Sequence, residues 1–234
     1  YIVANQVIEA SPWPLNLVSI YRSEPLKDDG TPRNVKLWFR TAYPFNNGGF
    51  AHLVNCLTEG PDGMIYINSG SRTDSGERAQ YPNWFNGGET EITSSIWQMD
   101  PEAETPKIKL FAQGTRNAWS FCWTPENELL AIDNGPQAHA PEELNLIEEG
   151  KHYGFPYVFG NLLATDEYHH GLPIPEGLTL TPPIQNFGPD GGGSAENPIS
   201  SFDPHSSPAG FIYCDDSFPD NLKGSYLIGR VGSM

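Results

Sequence analysis

The sequence of 234 residues has few basic side chains and no long apolar run. Lysine and arginine together number 13 against 29 aspartate and glutamate residues, which gives a formal net charge of −16. Proteins that bind nucleic acid need clustered lysine and arginine to neutralise the phosphate backbone, so this charge excludes that class of partner. A membrane-spanning helix needs roughly 18 consecutive apolar residues, and no run approaches this length. We therefore expect neither a nucleic-acid partner nor a membrane span.

Cysteine is also scarce, with Cys56, Cys122 and Cys214 lying far apart in the chain. No C-x-x-C pair of a metal site and no C-x-x-C-H haem attachment motif is present. Each cysteine lies in an apolar, strand-like run, which predicts three buried side chains that act as small hydrophobes. The N-terminal residues show no basic flank leading into an apolar region, so we expect any signal peptide to be absent or already removed.

The chain consists of short apolar runs separated by turn residues, and no convincing helical stripe is found. Several runs alternate in polarity or are rich in aromatic and β-branched residues, as half-buried strands are. Proline, glycine, asparagine and aspartate between the runs favour tight turns. Pro141–Glu149 is a weak helix candidate, and the pattern as a whole predicts an all-β protein. The predicted strands are Leu17–Arg22, Val35–Thr41, Met64–Asn68, Ser95–Met99, Lys107–Phe111, Trp119–Trp123, Glu128–Ile132, Gly210–Cys214 and Ser225–Gly229.

A repeated hairpin indicates how the strands are organised. Residues 57–67 and 122–132 share one form, in which a strand, a Pro-Asp/Glu-Gly/Asn turn and a second strand follow one another. Such repetition favours a β-propeller, and a β-sandwich or another all-β domain is the alternative on the pattern alone. The hairpins account for about three blades, whereas ring closure takes roughly four to eight. We therefore predict that residues 1–234 form a single partial β-propeller domain with a long loop region at 154–207.

Four motifs within residues 114–156 carry a resemblance to a known family. They are Gly114-Thr115-Arg116-Asn117, Asn134-Gly135-Pro136, Glu142-Glu143-Leu144-Asn145 and Gly150-Lys151-His152-Tyr153-Gly154-Phe155-Pro156. In this order and spacing, they resemble the soluble glucose/sorbosone dehydrogenases that depend on pyrroloquinoline quinone (PQQ). The resemblance implies a six-bladed β-propeller, of which this chain covers only a part, with PQQ and calcium bound at the centre of one face.

The resemblance implies a cofactor role for residues of the first two motifs. Arg116 offers a planar fork of five donors, which suits a flat, anionic ligand. By resemblance, Arg116 lies against the quinone and takes part in catalysis, and Asn117 and Asn134 bind the cofactor. Gly135 and Pro136 offer two backbone carbonyls to the catalytic calcium, an ion that accepts such ligands readily. Without the resemblance, the Arg116-Asn117 pair fits a surface turn bonded to backbone carbonyls better than a ligand site.

His52 is the predicted general base. The resemblance places the base eight residues before the Gly60-Pro61-Asp62-Gly63 turn, and an imidazole suits removal of a proton from a sugar's C1 hydroxyl. By residue type alone, a histidine in this apolar run fits a buried core residue as well. Relatives carry an acidic residue that orients the base where this chain has Ser71, and Asp74 is the candidate substitute.

Glu143 and Tyr153 match the positions at which relatives hold a second, structural calcium through a carboxylate and a backbone oxygen. Their spacing in this sequence agrees with that role. A glutamate at this position also fits a solvated surface charge, so the residues alone leave both interpretations open. Arg230 is the candidate for the basic residues that relatives supply to the quinone carboxylates.

These observations lead to one principal hypothesis and two alternatives. The principal one is a quinoprotein oxidoreductase that oxidises a sugar or polyol at a PQQ–calcium centre. Its electrons then pass to an external acceptor such as a cytochrome, and we expect a periplasmic or secreted protein. One alternative is a calcium-dependent hydrolase of lactonase type. The other is a non-catalytic propeller that binds glycans or proteins, because Ser71 replaces the acidic partner of His52.

Overall fold

The described part of the protein consists of strands, turns and loops. The computed structural model describes residues 1–45, 51–77, 82, 84–85, 87–136, 140–160, 162–163 (backbone only), 172–187 and 201–232. Within these ranges all regular secondary structure is β, so the predicted all-β class is confirmed. The same ranges contain no helix long and apolar enough to cross a membrane.

The strands pair in antiparallel order into five sheets within the described ranges. The sheets are β1–β3, β4–β7, β8–β10, β11–β12 and β13–β14, in each of which sequence neighbours pair. The bounds are β1 Ile2–Ile8, β2 Leu15–Glu24, β3 Arg33–Pro44, β4 Val54–Glu59, β5 Ile65–Ser69, β6 Ser95–Met99, β7 Lys109–Gln113, β8 Ala118–Trp123, β9 Leu129–Asp133, β10 Glu143–Ile147, β11 Val158–Phe159, β12 Leu162–Leu163, β13 Pro208–Tyr213 and β14 Tyr226–Arg230.

Every predicted strand has a counterpart in the structure. The structure differs from the prediction in segments whose polarity pattern is weak. The helix candidate Pro141–Glu149 is wrong, because Glu143–Ile147 forms β10 and pairs with β9. β1 was not predicted, since Asn5 and Gln6 interrupt its apolar run and most of its side chains are exposed. Within the predicted loop region 154–207, the described residues include the short β11–β12 hairpin.

The core lies between neighbouring sheets and is organised by the alternation along β5. Ile65 and Ile67 face one apolar cluster, which fills the space between sheets β1–β3 and β4–β7 and contains the fully buried Trp97. Tyr66 faces the opposite cluster, shared with sheet β8–β10. Because successive side chains of a strand point to opposite faces, one short strand supports both interfaces. This packing places three sheets side by side, as blades of a propeller are.

Two sheets end side by side at the same edge of the molecule. The start of β4 lies opposite the end of β5 through the pair Val54 and Ser69, and β8 and β9 meet in the same way through Ala118 and Asp133. The Ser71 amide donates to the Arg116 carbonyl at 2.7 Å, which joins the two edges. The loops that precede β4 and β8 and follow β5 and β9 therefore converge.

The three cysteines are free thiols, as expected for small apolar side chains. Cys122 and Cys214 are buried and Cys56 is half-buried. Burial raises the pKa of the Cys56 thiol to about 11, so it is protonated at neutral pH.

Candidate active site

A cavity of about 290 Å³ lies where these loops converge. Five of the eight predicted site residues line it, and they come from three separate loops. Pro136, Glu143 and Tyr153 are not among its lining residues. The five predicted residues in its wall are His52, Arg116, Asn117, Asn134 and Gly135.

His52 is held in the cavity wall by its backbone. Its amide donates to the Ser71 carbonyl at 2.6 Å, and a Cβ at Gly70 would lie 2.5 Å from the His52 Cβ, so this approach requires a glycine. The His52 Nε2 atom is buried and has no hydrogen-bond partner among the described residues. Burial and, secondly, the positive charge of Arg116 lower the pKa of His52 to about 3. His52 is therefore neutral at physiological pH and keeps a lone pair for a proton.

Ser71 and Asp74, the two residues considered as partners of His52, form their side-chain contacts with other groups. The Ser71 hydroxyl donates to the Thr73 carbonyl at 2.6 Å. Asp74, the predicted substitute for the acidic residue, forms an ion pair through its Oδ1 with the Nη2 of Arg116. Asp74 thus orients the arginine and not the histidine, which corrects the expectation from sequence.

Arg116 is fixed by its backbone and by the edges of its guanidinium group. Its amide donates to Asp133 Oδ2 at 2.8 Å, Nε donates to the Asp74 carbonyl at 2.8 Å, and Nη1 donates to the Asn134 carbonyl at 2.8 Å. With Nη2 bonded to Asp74, each guanidinium nitrogen has an in-plane partner. The side chain is only 3% exposed, and these bonds use three of its five N–H donors.

Asn117 and Asn134 add polar groups to the same wall. The Asn117 amide donates to Asp133 Oδ1 at 2.5 Å, and its side-chain oxygen accepts from Asn55 Nδ2 at 2.9 Å. This arrangement leaves the Asn117 NH₂ group as its contact point for a ligand. The Asn134 Oδ1 atom is buried without a partner among the described residues, as His52 Nε2 is. Two unpartnered polar atoms in one wall fit a cavity that receives a polar ligand.

Glu142 is a cavity residue that the sequence analysis did not identify. Its Oε2 accepts from the Gly135 amide at 2.5 Å and its Oε1 from the Ser207 amide at 3.2 Å. Burial raises the pKa of the Glu142 carboxyl, and these amide bonds oppose the shift. One carboxylate thus joins the turn at Gly135 to the loop that precedes β13. No local signal distinguishes it from its neighbour Glu143, since its burial arises from this long-range contact.

The oxygen atoms near Gly135 are of the type that calcium prefers. The backbone carbonyls of Gly135 and Pro136 and the carboxylate of Glu142 are all hard oxygen donors. No group of three or more histidine, cysteine, aspartate or glutamate residues is arranged to hold a metal in the described part of the chain. Carbonyl oxygens therefore have to supply most of any calcium shell here.

Glu143 and Tyr153 make their hydrogen bonds to different groups. Glu143 is fully buried opposite Asp133 across the β9–β10 pair, and its Oε1 accepts from the Gly160 amide at 2.5 Å. The Tyr153 hydroxyl donates to the Leu146 carbonyl at 2.5 Å within the core cluster shared with sheet β8–β10. The second calcium thus stays a prediction, with a buried carboxylate as its one charged ligand.

The burial of Glu143 leads to a prediction about stability and pH. Burial and the nearby Asp133 raise its pKa from 4.5 to about 8, so the folded state keeps a proton that the unfolded state releases. The free energy of unfolding should therefore decrease as the pH rises from about 4.5 to about 8 in the presence of a calcium chelator. Urea unfolding at several pH values measures this slope.

The isosteric variant Glu143→Gln should reduce that slope and raise the stability at pH 8, and the slope that remains belongs to Asp133, whose pKa is also raised by burial. The Asn145 Nδ2 donates to Glu143 Oε2 at 3.0 Å and opposes the rise in the Glu143 pKa, whereas the Asn145 Oδ1 is buried without a partner among the described residues. When the Asn145 side-chain amide rotates by half a turn, its Oδ1 can accept a hydrogen bond from the NH₂ group of the glutamine introduced at position 143. Glu149→Gln, at an exposed position, is the matched control and should keep the slope. An unchanged slope in Glu143→Gln would contradict the assignment.

Comparison with known proteins places the chain among sugar dehydrogenases. The family model described as Glucose / Sorbosone dehydrogenase matches residues 18–234. A solved glucose dehydrogenase superposes with a TM-score of 0.59 at 15% identity, over 97% of this chain and 60% of its own. The soluble aldose sugar dehydrogenase of Escherichia coli, solved in its apo form, gives a TM-score of 0.56 at 18% identity with the same coverage of 97% and 60%.

One curated relative is similar in sequence. An uncharacterized protein of Borreliella burgdorferi is 43% identical over 137 residues, which are 56% of this chain and 32% of that protein. The chain spans 60% of the length of the two solved dehydrogenases above and a smaller share of this relative.

Proposed function

The chain belongs to the glucose/sorbosone dehydrogenase family, and from this premise we propose that it forms the cofactor-binding part of a quinoprotein that oxidises a sugar or polyol. The observation that carries the proposal is the single cavity that collects His52, Arg116, Asn117, Asn134 and Gly135 from three loops. The all-β fold and its similarity to sugar dehydrogenases agree with this assignment.

The cavity wall fits a flat, polar cofactor such as PQQ. The buried His52 Nε2 and Asn134 Oδ1 have no hydrogen-bond partner among the described residues, and Arg116 keeps two of its five N–H donors beside them. Arg116, Asn117 and Asn134 would hold PQQ, while the carbonyls of Gly135 and Pro136 would hold calcium. When bound, PQQ supplies a two-electron acceptor for the hydride of an alcohol carbon.

His52 supplies the base in this proposal. Its lone pair at Nε2 receives the proton of the sugar's C1 hydroxyl as the carbon is oxidised. A pKa near 3 is low for this task, and its causes are burial and the charge of Arg116. A negatively charged group that enters the cavity opposes the charge of Arg116 and so raises the pKa of His52 toward the neutral range. The base is thus strengthened when an anionic cofactor is in place.

The substrate in this proposal is a small sugar or polyol, and the electrons leave through an external acceptor such as a cytochrome. A periplasmic or secreted location is part of the same proposal. Carboxylates outnumber basic residues about two to one over the whole chain, which suits a neutral substrate better than an anionic one.

Reconstitution tests the proposed function. The full-length protein is incubated with PQQ and calcium, and reduction of an artificial electron-accepting dye is followed after glucose or another aldose is added. We expect dye reduction that requires both PQQ and calcium and stops when calcium is chelated. Bound PQQ without dye reduction by any aldose or polyol would contradict the proposal. Lactone hydrolysis without PQQ, or sugar binding without turnover, would instead favour the hydrolase or the glycan-binding protein.

A further inference from the structure

Trp119 is exposed in the wall of the cavity. It is 47% exposed, although aromatic residues of this size usually contribute most of their surface to a core. Its strand neighbours Ala118 and Phe121 are buried at 0% and 8%. Trp119 is the one Trp, Tyr or Phe among the described residues that line the cavity with His52 and Arg116.

A β-bulge turns Trp119 away from the core. Ala118 pairs with Asp133, and the next pair is Ser120 with Ile132, so Trp119 is the extra residue between them. A bulge bends its strand and re-aims a side chain, and bulges are frequent next to active sites. The exposure of Trp119 thus follows from a specific irregularity in β8.

Trp119 lies close in sequence to the polar residues of the cavity wall. Asn117 directly precedes β8, and Trp119 lies two residues further on. Arg116, Asn117 and Trp119 all line the cavity, so the indole ring belongs to the same wall as these polar groups. A ligand held by Arg116 and Asn117 therefore lies beside the indole ring.

The available surfaces favour a flat, anionic ligand. The Arg116 guanidinium donates three of its five N–H groups to Asp74 and Asn134 and keeps its positive charge beside the cavity. Trp119 presents an aromatic side chain in the same wall. An indole ring can pack against a sugar ring or against a planar ring system, and the positive charge of Arg116 favours the planar ligand that carries negative charge. We propose that Trp119 is a cofactor-binding residue whose indole ring packs against the flat ring system of the quinone, an inference that rests on the proposed function.

Equilibrium binding of PQQ to the full-length protein in the presence of calcium tests this role. Trp119→Ala should weaken PQQ binding about 10-fold to 100-fold, the range set by loss of one stacked aromatic ring. Trp119→Phe keeps a ring and should stay within about threefold of the wild-type protein. Phe187→Ala, at a site 59% exposed and outside the cavity lining, is the matched control and should leave binding unchanged.

Two further measurements separate this role from others. The thermal midpoint of Trp119→Ala should stay close to that of the wild-type protein, because much of the ring is already exposed. With saturating PQQ, the KM for sugar should be unchanged. A raised KM for sugar with unchanged PQQ binding would overturn the inference and make Trp119 a substrate contact. PQQ binding that is insensitive to Trp119→Ala would overturn the inference alone, whereas a wild-type protein that does not bind PQQ would overturn the proposed function with it.

Discussion

Replacement of His52 by alanine is expected to lower kcat for sugar oxidation about 10²-fold to 10⁴-fold, the usual contribution of a general base. The loss should appear in kcat because the imidazole acts on a proton that leaves during the chemical step. Binding of PQQ should stay within a few-fold of wild type, since Arg116, Asn117 and Asn134 hold the cofactor in our proposal. Steady-state kinetics with saturating PQQ and calcium measures the first effect, and equilibrium binding measures the second.

His152→Gln is the matched control for loss of a histidine. His152 is half-buried, its ring lies 5.8 Å from that of Tyr157, and it is not among the residues that line the cavity. This variant should keep the wild-type kcat. A His52→Ala protein that retains most of its kcat would show that the base is another group, and His205 is the second histidine in the cavity wall.

Replacement of Asp74 by alanine is expected to lower the free energy of unfolding by about 3–5 kcal/mol, the cost of removing one partner of a buried ion pair. Arg116 is only 3% exposed, so its charge would stay buried without an ion-pair partner among the described residues, with the carboxyl groups of Asp133 and Glu142 as its remaining neighbours of opposite charge. Asp74→Asn should cost less, because the amide oxygen still accepts a hydrogen bond from Nη2. Urea unfolding of the three proteins measures these differences.

The exposed ion pair of Arg22 with Glu102 provides the control. The Glu102 side chain is 78% exposed, and Glu102→Ala should cost less than about 1 kcal/mol, as surface ion pairs usually do. Equal costs for Asp74→Ala and Glu102→Ala would show that the buried pair contributes no more than a surface contact.

The sequence was most informative where function depends on a continuous motif. The motifs within residues 114–156 carry the family resemblance, and the family is confirmed by the match to residues 18–234. His52, which lies far from these motifs in sequence, does line the same cavity as Arg116. Turn residues and alternating strands are local signals, so the all-β class followed from them without long-range information.

The contacts that fix the site were not predictable, because they join distant segments. Asp74 and Arg116 are 42 residues apart, and only the packing of two sheets brings them together. Glu142 contacts Ser207, which lies 65 residues further along the chain. Residue type alone does not distinguish Glu142 from the adjacent Glu143. Residue type gives the chemistry of such a side chain, whereas its partner depends on the packing of the whole chain.

The pairing of Arg116 with Asp74 has a consequence for heat resistance. Asp74 lies in the loop after β5 and Arg116 directly before β8, so the ion pair crosses the seam between two neighbouring sheets. A thermal motion that widens this seam has to break the ion pair and move the wall against which we place the cofactor. In our proposal, a bound quinone therefore stabilises the contact between the two sheets and slows inactivation by heat.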